Sequence, residues 1–308
     1  MSRVLIVNPL AGAGRVGRKL QEIHQTLEAI AGPIELMPTQ ASKHASTLAA
    51  QAVKNGATEV WSLGGDGTHS EVVTGLESCP ESNLVSLGIL HGGTGGDFSR
   101  MLGRGSLKEQ ARRLVSGTST LIDLGEVSWD EGGQTRRHVF LNEVSLGMSA
   151  TICARVNDGS KRLGGRLSFL FHTLRTLIDY KPHDILLTAD GESRVFEGVR
   201  TTLACNGRWA GGGMMFAPNA HLDDGKLDLV ILLDSPVHHA VRLIPTLYDG
   251  SFIQNRYAEI LRATSIRIES LGAEQHVEAD GEVLAVGNVE ISVIPKRLRL
   301  LGFHSEIE

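Results

Sequence analysis

Aromatic residues and surplus positive charge are both scarce in this chain. Only 5% of its 308 residues are Phe, Trp or Tyr, and 35 Asp and Glu outweigh 30 Lys and Arg to leave a net charge of -5. With neither a basic field nor aromatics interleaved with basic residues, nucleic acid is set aside as a partner. Cysteine is also rare. Cys79, Cys153 and Cys205 lie far apart, are odd in number and make no C-x-x-C, which excludes a disulfide framework and a structural zinc site and predicts a reducing, cytoplasmic setting. Long apolar runs are missing too: none approaches the ~18 residues of a membrane span, and the run of four at Val4–Val7 is too short for a secretion signal. Any membrane contact is therefore expected at the surface.

What the chain has is length and glycine. Its 308 residues suit two domains with separate cores, and 36 glycines must serve many turns or close backbone approaches. "RVLIVNP" is a short β-branched run closed by a turn signal, after which Val16, Leu20, Ile23, Leu27 and Ile30 recur on one helix face. The unit repeats as "IELMPT" before "KHASTLAAQAV", "TEVWSL" before "THSEVVTGL", and "VSLGIL" before a glycine-rich loop and "SLKEQARRLV". This alternation predicts a mostly parallel sheet with helices on both faces, with ligands bound beyond the carboxyl ends of the strands. After about residue 120, strand-like runs joined by hairpin signals take over, among them "LIDLGEVSW", "HVFLNEVSLG", "VFEGVRTTLACN" and "LDLVILL". Two predicted helices, "GRLSFLFHTLRTLIDY" and "SPVHHAVRLIPTLY", interrupt them. The expected architecture is an α/β domain over 1–125 and an antiparallel, β-rich domain over 126–290, with the tail of about 291–308 packing back on the first.

Gly64-Gly65-Asp66-Gly67-Thr68 ends an apolar run and opens a helical pattern. Backbone N–H groups and a helix N-terminus would point there into one small volume, which suits phosphate; glycine permits the close approach, and an aspartate beside phosphates implies an intervening cation. Thr68 and Glu71 also stand in T-x-x-E spacing, which predicts a capping box. A second loop, "HGGTGGDFSR", follows the next strand and again ends in an aspartate, Asp97. The N-terminal "GAGRVG" places Gly12, Gly14 and Gly17 in dinucleotide-binding spacing, with Glu35 as a ribose-type acid. Against that reading, four residues including Pro9 separate Val7 from Gly12, and Arg18-Lys19 replaces the Lys-Ser/Thr pair of a P-loop.

Taken together and in order, "NPLAGAG", "GGDGT", the glycine loop ending in Asp97-Phe98, "FLNEVSLG", "ACNGRWAGGGMMFAPNAHLDDGKLDLV" and "ADGE" resemble the diacylglycerol kinase catalytic-domain family, which includes bacterial lipid kinases and sphingosine kinases. The resemblance covers most of the chain and implies a nucleotide-binding α/β domain followed by a β-sandwich-like domain. It implies ATP held by Asn8, Pro9, Leu10, Ala11, Gly12, Thr39, Gly65, Asp66, Gly67, Thr68, His69, Ser70, Glu71 and Thr94. It implies Mg2+ at the "HLDDG" turn, on the Asp224 carboxylate and the main-chain carbonyls of His221 and Lys226, and Glu282 as general base beside Asp280. Asp66, Asp97 and Asp123 are implied as cleft carboxylates that organise magnesium and water around the phosphates. "ADGE" occurs twice, and because D-G is a strong hairpin signal at least one copy is a turn. The family motif follows "LDDG", which leaves the turn role to Asp190 and Glu192. Departures from the family pattern are His91 for proline, Gly96 for asparagine, and His69-Ser70 for an apolar residue and asparagine. They spare the phosphate-facing glycines but bear on substrate orientation.

The implied acceptor is a hydroxyl of a lipid such as diacylglycerol. "KRLGGRLSFLFHTLRTLI" and "PKRLRLLGF" join basic to apolar residues, as a transient contact with the inner membrane surface would require, and a core helix accounts for the first stretch as well. Three other readings stay open: a NAD kinase, which shares "GGDGT" and an Asn-Glu or Asn-Asp pair like Asn142-Glu143; an NAD(P)-dependent oxidoreductase; and a nucleotide-binding regulator whose transfer activity has lapsed. A homodimer is also left open.

Overall fold

The computed structural model describes residues 2–93, 96–103, 105–158, 173 and 175–305. β1 (Arg3–Val7), β2 (Glu35–Pro38), β3 (Glu59–Gly64) and β4 (Ser86–His91) form a parallel sheet in the order β2-β1-β3-β4. Its helices are α1 (Arg15–Arg18), α2 (Leu20–Ala31), α3 (His44–Lys54), α4 (Asp66–Glu77) and α5 (Leu107–Ser116). Side chains alternate across a strand, so Val4 and Ile6 of β1 pack with α3 and α4, whereas Leu5 and Val7 pack with α2 and α5. Both faces are covered, which is why these strands read as unbroken apolar runs. The single helix predicted across Val16 to Ile30 is two: Lys19, at φ -113°, breaks it, and Val16 and Leu27 still bury on the same side.

The second lobe is antiparallel. Its strands are β5 (Ser119–Glu131), β6 (Gln134–Phe140), β7 (Glu143–Gly147), β8 (His183–Ala189), β9 (Glu192–Cys205), β10 (Leu227–Leu233), β11 (Ala258–Ala263), β12 (Ser265–Ser270), β13 (His276–Ala279), β14 (Glu282–Val286) and β15 (Val289–Leu301). Phe140, Phe196, Ile266, Ile268 and Ile291 lie in their common core. α6 (Met148–Asp158) and α7 (Val237–Asp249) flank the sheet. The fold is thus mixed α/β, with an N-terminal parallel sheet and a C-terminal antiparallel, sandwich-like lobe. Most of the predicted helix "GRLSFLFHTLRTLIDY" lies outside the described residues; residues 173 and 175–179 are helical. No helix among the described residues is long and apolar enough to cross a membrane.

β15 joins the lobes. It pairs with β5 and β12 in the second lobe, shifts register between Ile294 and Leu298 around Lys296 at φ +49°, and then runs parallel to β4 through Arg299 and Leu300. β5 likewise passes unbroken through residue 125.

Candidate active site

Three loops converge at the carboxyl ends of β1, β3 and β4. Asn8 closes a local turn by accepting from the Leu10 amide at 2.9 Å, and its Nδ2 donates to Thr68 Oγ1 at 3.2 Å. Gly12 has φ +62°, and a β-carbon there would lie 2.7 Å from the Gly92 carbonyl, so two of the loops touch only because this residue is glycine. By contrast, β-carbons at Gly65 and Gly67 would meet nothing within 4 Å: these glycines open onto a polar cavity of about 710 Å3. Asn8, Pro9, Leu10, Ala11, Gly12, Thr39, Asp66, Thr68 and Glu71 also line it. Thr94 lies outside the described residues.

The predicted capping box is not formed. α4 begins at Asp66 with Gly65 as N-cap. Thr68 is engaged by Asn8, and Glu71 turns to the neighbouring helix, where it accepts from the Lys43 amide at 3.0 Å and the Ala45 amide at 3.1 Å. It thereby caps α3, whose own N-cap residue, Lys43, supplies no side-chain acceptor. Asp66 is likewise a fastener. Its carboxylate accepts from the amides of Gly96, Asp97 and Phe98 at 2.9, 3.0 and 3.2 Å and so holds the second glycine loop against the first.

His69 and Ser70 part company with the polar cavity. His69 is fully buried, with Nδ1 2.8 Å from Ser62 Oγ on β3, and lies beneath the glycine turn instead of facing a ligand. Burial lowers its pKa to about 4; Asp66 opposes the shift and His91 reinforces it. Ser70 faces the other lobe and hydrogen-bonds Asp280. His91 and Gly96 prove to be one compensated pair: a β-carbon on Gly96, at φ +85°, would fall 2.4 Å from the His91 ring.

A second, largely apolar cavity of about 500 Å3 runs into the C-terminal lobe past Phe98, Met148, Ile152, Leu203, Met214 and Phe216. Acidic groups crowd its mouth. Burial, with Glu278 and Asp280 close by, pushes the Glu143 carboxyl well above the usual range. Asp97 is raised by burial and then by Asp66, against the pull of the Gly212 amide, which it accepts at 2.7 Å. A third cavity, of about 660 Å3, lies where Lys43, Ser70 and Glu71 of one lobe face His138, Asp280 and Glu282 of the other.

Both copies of "ADGE" are hairpins of the same shape. Asp190 and Gly191 connect β8 to β9 at φ 46° and 89°; Asp280 and Gly281 connect β13 to β14 at 49° and 88°. Location separates them. Asp190 accepts from the Thr264 and Ser265 amides away from the cavities, whereas Asp280 reaches the mouth of the cleft. There its oxygens accept from the Leu141, Asn142 and Glu143 amides at 2.8, 2.9 and 3.1 Å, which leaves Glu282, paired with Lys43, as the less committed carboxylate.

Two implied roles do not fit. Asp123 is fully buried and lines none of these cavities; its oxygens accept from the Gly225 amide at 2.6 Å and the Lys296 amide at 2.7 Å, tying the "LDDG" turn to the bend of β15. Asp224, on which a metal was expected with the carbonyls of His221 and Lys226, accepts from the Lys226 amide at 3.0 Å and is paired with Arg262. Arg262 Nε also lies 3.0 Å from Asp228, which is 3% exposed and raised by burial to about 6. A divalent ion about 4 Å from that guanidinium would meet a repulsion of about 2 to 8 kcal/mol between aqueous and surface-like dielectrics. With Arg262 in place, the turn does not fit the metal.

Both lobes match known proteins. Residues 2–127 match the model of the diacylglycerol kinase catalytic domain, and residues 142–302 match that of the YegS C-terminal NAD kinase beta sandwich-like domain. A Yersinia enterocolitica protein named "Probable lipid kinase YegS-like" is 31% identical over 241 residues, 77% of this chain and 76% of its own. The chain belongs to the diacylglycerol kinase family of lipid kinases. A "Diacylglycerol kinase" of Mycobacterium tuberculosis is 27% identical over 96% of this chain and 93% of its own. A crystal structure of a diacylglycerol kinase from Bacillus anthracis shares the fold with a TM-score of 0.72 at 23% identity, covering 97% of this chain and 96% of that one. For this lipid kinase, sequence reasoning missed the apolar cavity, the buried Glu143 with its raised pKa, and Lys43. Of these, only Glu143 carried a signal, through "FLNEVSLG".

Proposed function

We propose that this lipid kinase transfers the γ-phosphoryl group of ATP, entering as its magnesium complex, to a hydroxyl of a lipid such as diacylglycerol, with Glu282 as general base. One observation carries the reading: the polar cavity under the glycine loops and the apolar cavity of the second lobe share Asp66 and Gly67 as a common wall. A triphosphate in the first and an acyl chain in the second would bring phosphorus and hydroxyl together there.

Phosphoryl transfer needs positioning, charge neutralisation and one proton acceptor. Gly65 and Gly67 let the backbone approach the phosphates, and Asn8 and Thr68 fix the loop beside them. Magnesium carried by ATP supplies Lewis-acid neutralisation of phosphate oxygens. Asp97 lines the wall of the apolar cavity but is already engaged, its Oδ1 3.5 Å from Arg100 Nε and its Oδ2 accepting from the Gly212 amide. Asp280 acts as a positioning residue, because its oxygens are taken up by three amides, and Glu282 accepts the hydroxyl proton.

Incubating the protein with labelled ATP and either a lipid extract or NAD, with products identified by mass spectrometry, tests the reading. A phosphorylated lipid is expected; phosphorylated NAD instead would overturn it. Glu282→Gln should lower turnover by about 10² to 10⁴ while the protein stays folded. Glu192→Gln, on the other hairpin, should leave turnover unchanged.

A further inference from the structure

Lys43 joins the two lobes, yet the reaction as drawn above gives it no task. It precedes α3 at φ +64°, a backbone conformation that lysine seldom adopts. Glu71 holds it there through the amides of Lys43 and Ala45. The main chain is thus pinned while the side chain, 71% exposed, reaches over the cleft to Glu282 Oε1, whose own side chain is 43% exposed. The cavity between them is about 660 Å3 and shares Ser42, Gly67 and Glu71 with the polar cavity assigned to the nucleotide. Lys43 therefore stands between the implied phosphates on one side and the implied base on the other.

Exposed ion pairs contribute only about 0 to 1 kcal/mol, so the Lys43–Glu282 pair is readily exchanged. A terminal phosphate, with more negative charge than one carboxylate, is the stronger competitor for an ammonium group. Resting on the assignment of the polar cavity to ATP, we propose that Lys43 is a phosphate-binding residue that trades Glu282 for the terminal phosphate of the nucleotide. Before ATP enters, it holds the base in place. Afterwards it neutralises a γ-phosphoryl oxygen and leaves Glu282 free to take the proton. The acceptor oxygen then forms its bond to γ-phosphorus, the bond from γ-phosphorus to the bridging oxygen breaks with its electron pair passing to ADP, and Lys43 stays protonated throughout. Lys43 thereby senses whether a third phosphate is present.

The test is calorimetric titration of magnesium ATP and magnesium ADP into the full chain as wild type, Lys43→Ala, Lys43→Arg and Glu282→Gln, alongside kinetics with diacylglycerol in mixed micelles. Lys43→Ala is expected to weaken ATP about 10- to 100-fold and ADP far less, with a raised KM for ATP. Lys43→Arg should restore most of the discrimination, and Glu282→Gln should keep it while losing turnover. If Lys43→Ala binds both nucleotides as the wild type does, the proposal is overturned, even where kcat falls. Failure of the wild type to bind ATP at all would remove the nucleotide assignment itself, a result distinct from loss of discrimination.

Discussion

His69 places a titratable ring where nothing can hydrate it. It is fully buried against Ser62, and burial lowers its pKa from 6.5 to about 4. The unfolded chain takes up a proton below 6.5 that the native state refuses until about pH 4, so native stability supplied by this residue is present above 6.5 and is lost as pH falls through that window. The slope is at most about 1.4 kcal/mol per pH unit for one proton. The paired variant S62A/H69L removes the titration without leaving a lone hydroxyl. Its unfolding free energy should fall less steeply than the wild type's between pH 6.5 and 4, with the difference gone above pH 7; parallel curves would refute the argument. At this scale the sequence was half legible. Glycines at close backbone approaches could be picked out because few other residues tolerate the geometry, as at Gly12, where a β-carbon would strike the Gly92 carbonyl. The partner of a polar side chain could not, since the His69–Ser62, His91–Gly96 and Glu143–Glu278 contacts depend on which strand lies beside which helix.

Elements show the same division. The β-α-β alternation and the hairpins were visible from periodicity and D-G pairs, which are local signals. The fate of Thr68 and Glu71 was not visible: the capping spacing is real, but Glu71 serves α3 because that helix starts next to it and lacks a capping side chain of its own. Nor could spacing reveal that the "HLDDG" turn would meet Arg262, contributed by β11 well downstream. Since Arg262 is already paired with Asp224 and lies 3.0 Å from the buried Asp228, chelation with EDTA should leave the melting temperature of the wild type unchanged. Arg262→Met should lower it, with a loss of unfolding free energy smaller than the ~3–5 kcal/mol of a fully buried pair because Arg262 is 41% exposed. In that variant the carboxylates become available to a hard cation, and millimolar magnesium should restore part of the loss. A wild type that melts earlier in EDTA, or a variant indifferent to magnesium, would contradict the substitution of guanidinium for metal.

For the whole molecule, the question is whether two lobes with separate cores unfold separately. β15 argues against it. Ile291 lies in the core of the antiparallel lobe, Leu300 lies in the core shared by β1, β4, α3 and α4, and the same strand carries both with no loop between them. Asp123, on β5, clamps the bend at Lys296 between these two segments. Loosening either end therefore removes the edge on which the other is paired, and cooperativity should extend across the cleft. Ile291→Ala and Leu300→Ala should each cost about 2 to 5 kcal/mol from the loss of buried methyl groups and the cavity left behind. Both should displace one common calorimetric transition whose van't Hoff and calorimetric enthalpies agree. Two transitions, with each variant moving only one of them, would mean that the lobes are stable alone and that β15 merely tethers them. A single transition has a functional consequence: Lys43 and Glu282 sit on opposite lobes, and their separation is then set by a frame that resists shear, so that exchange of the ion pair for phosphate can proceed by side-chain movement alone.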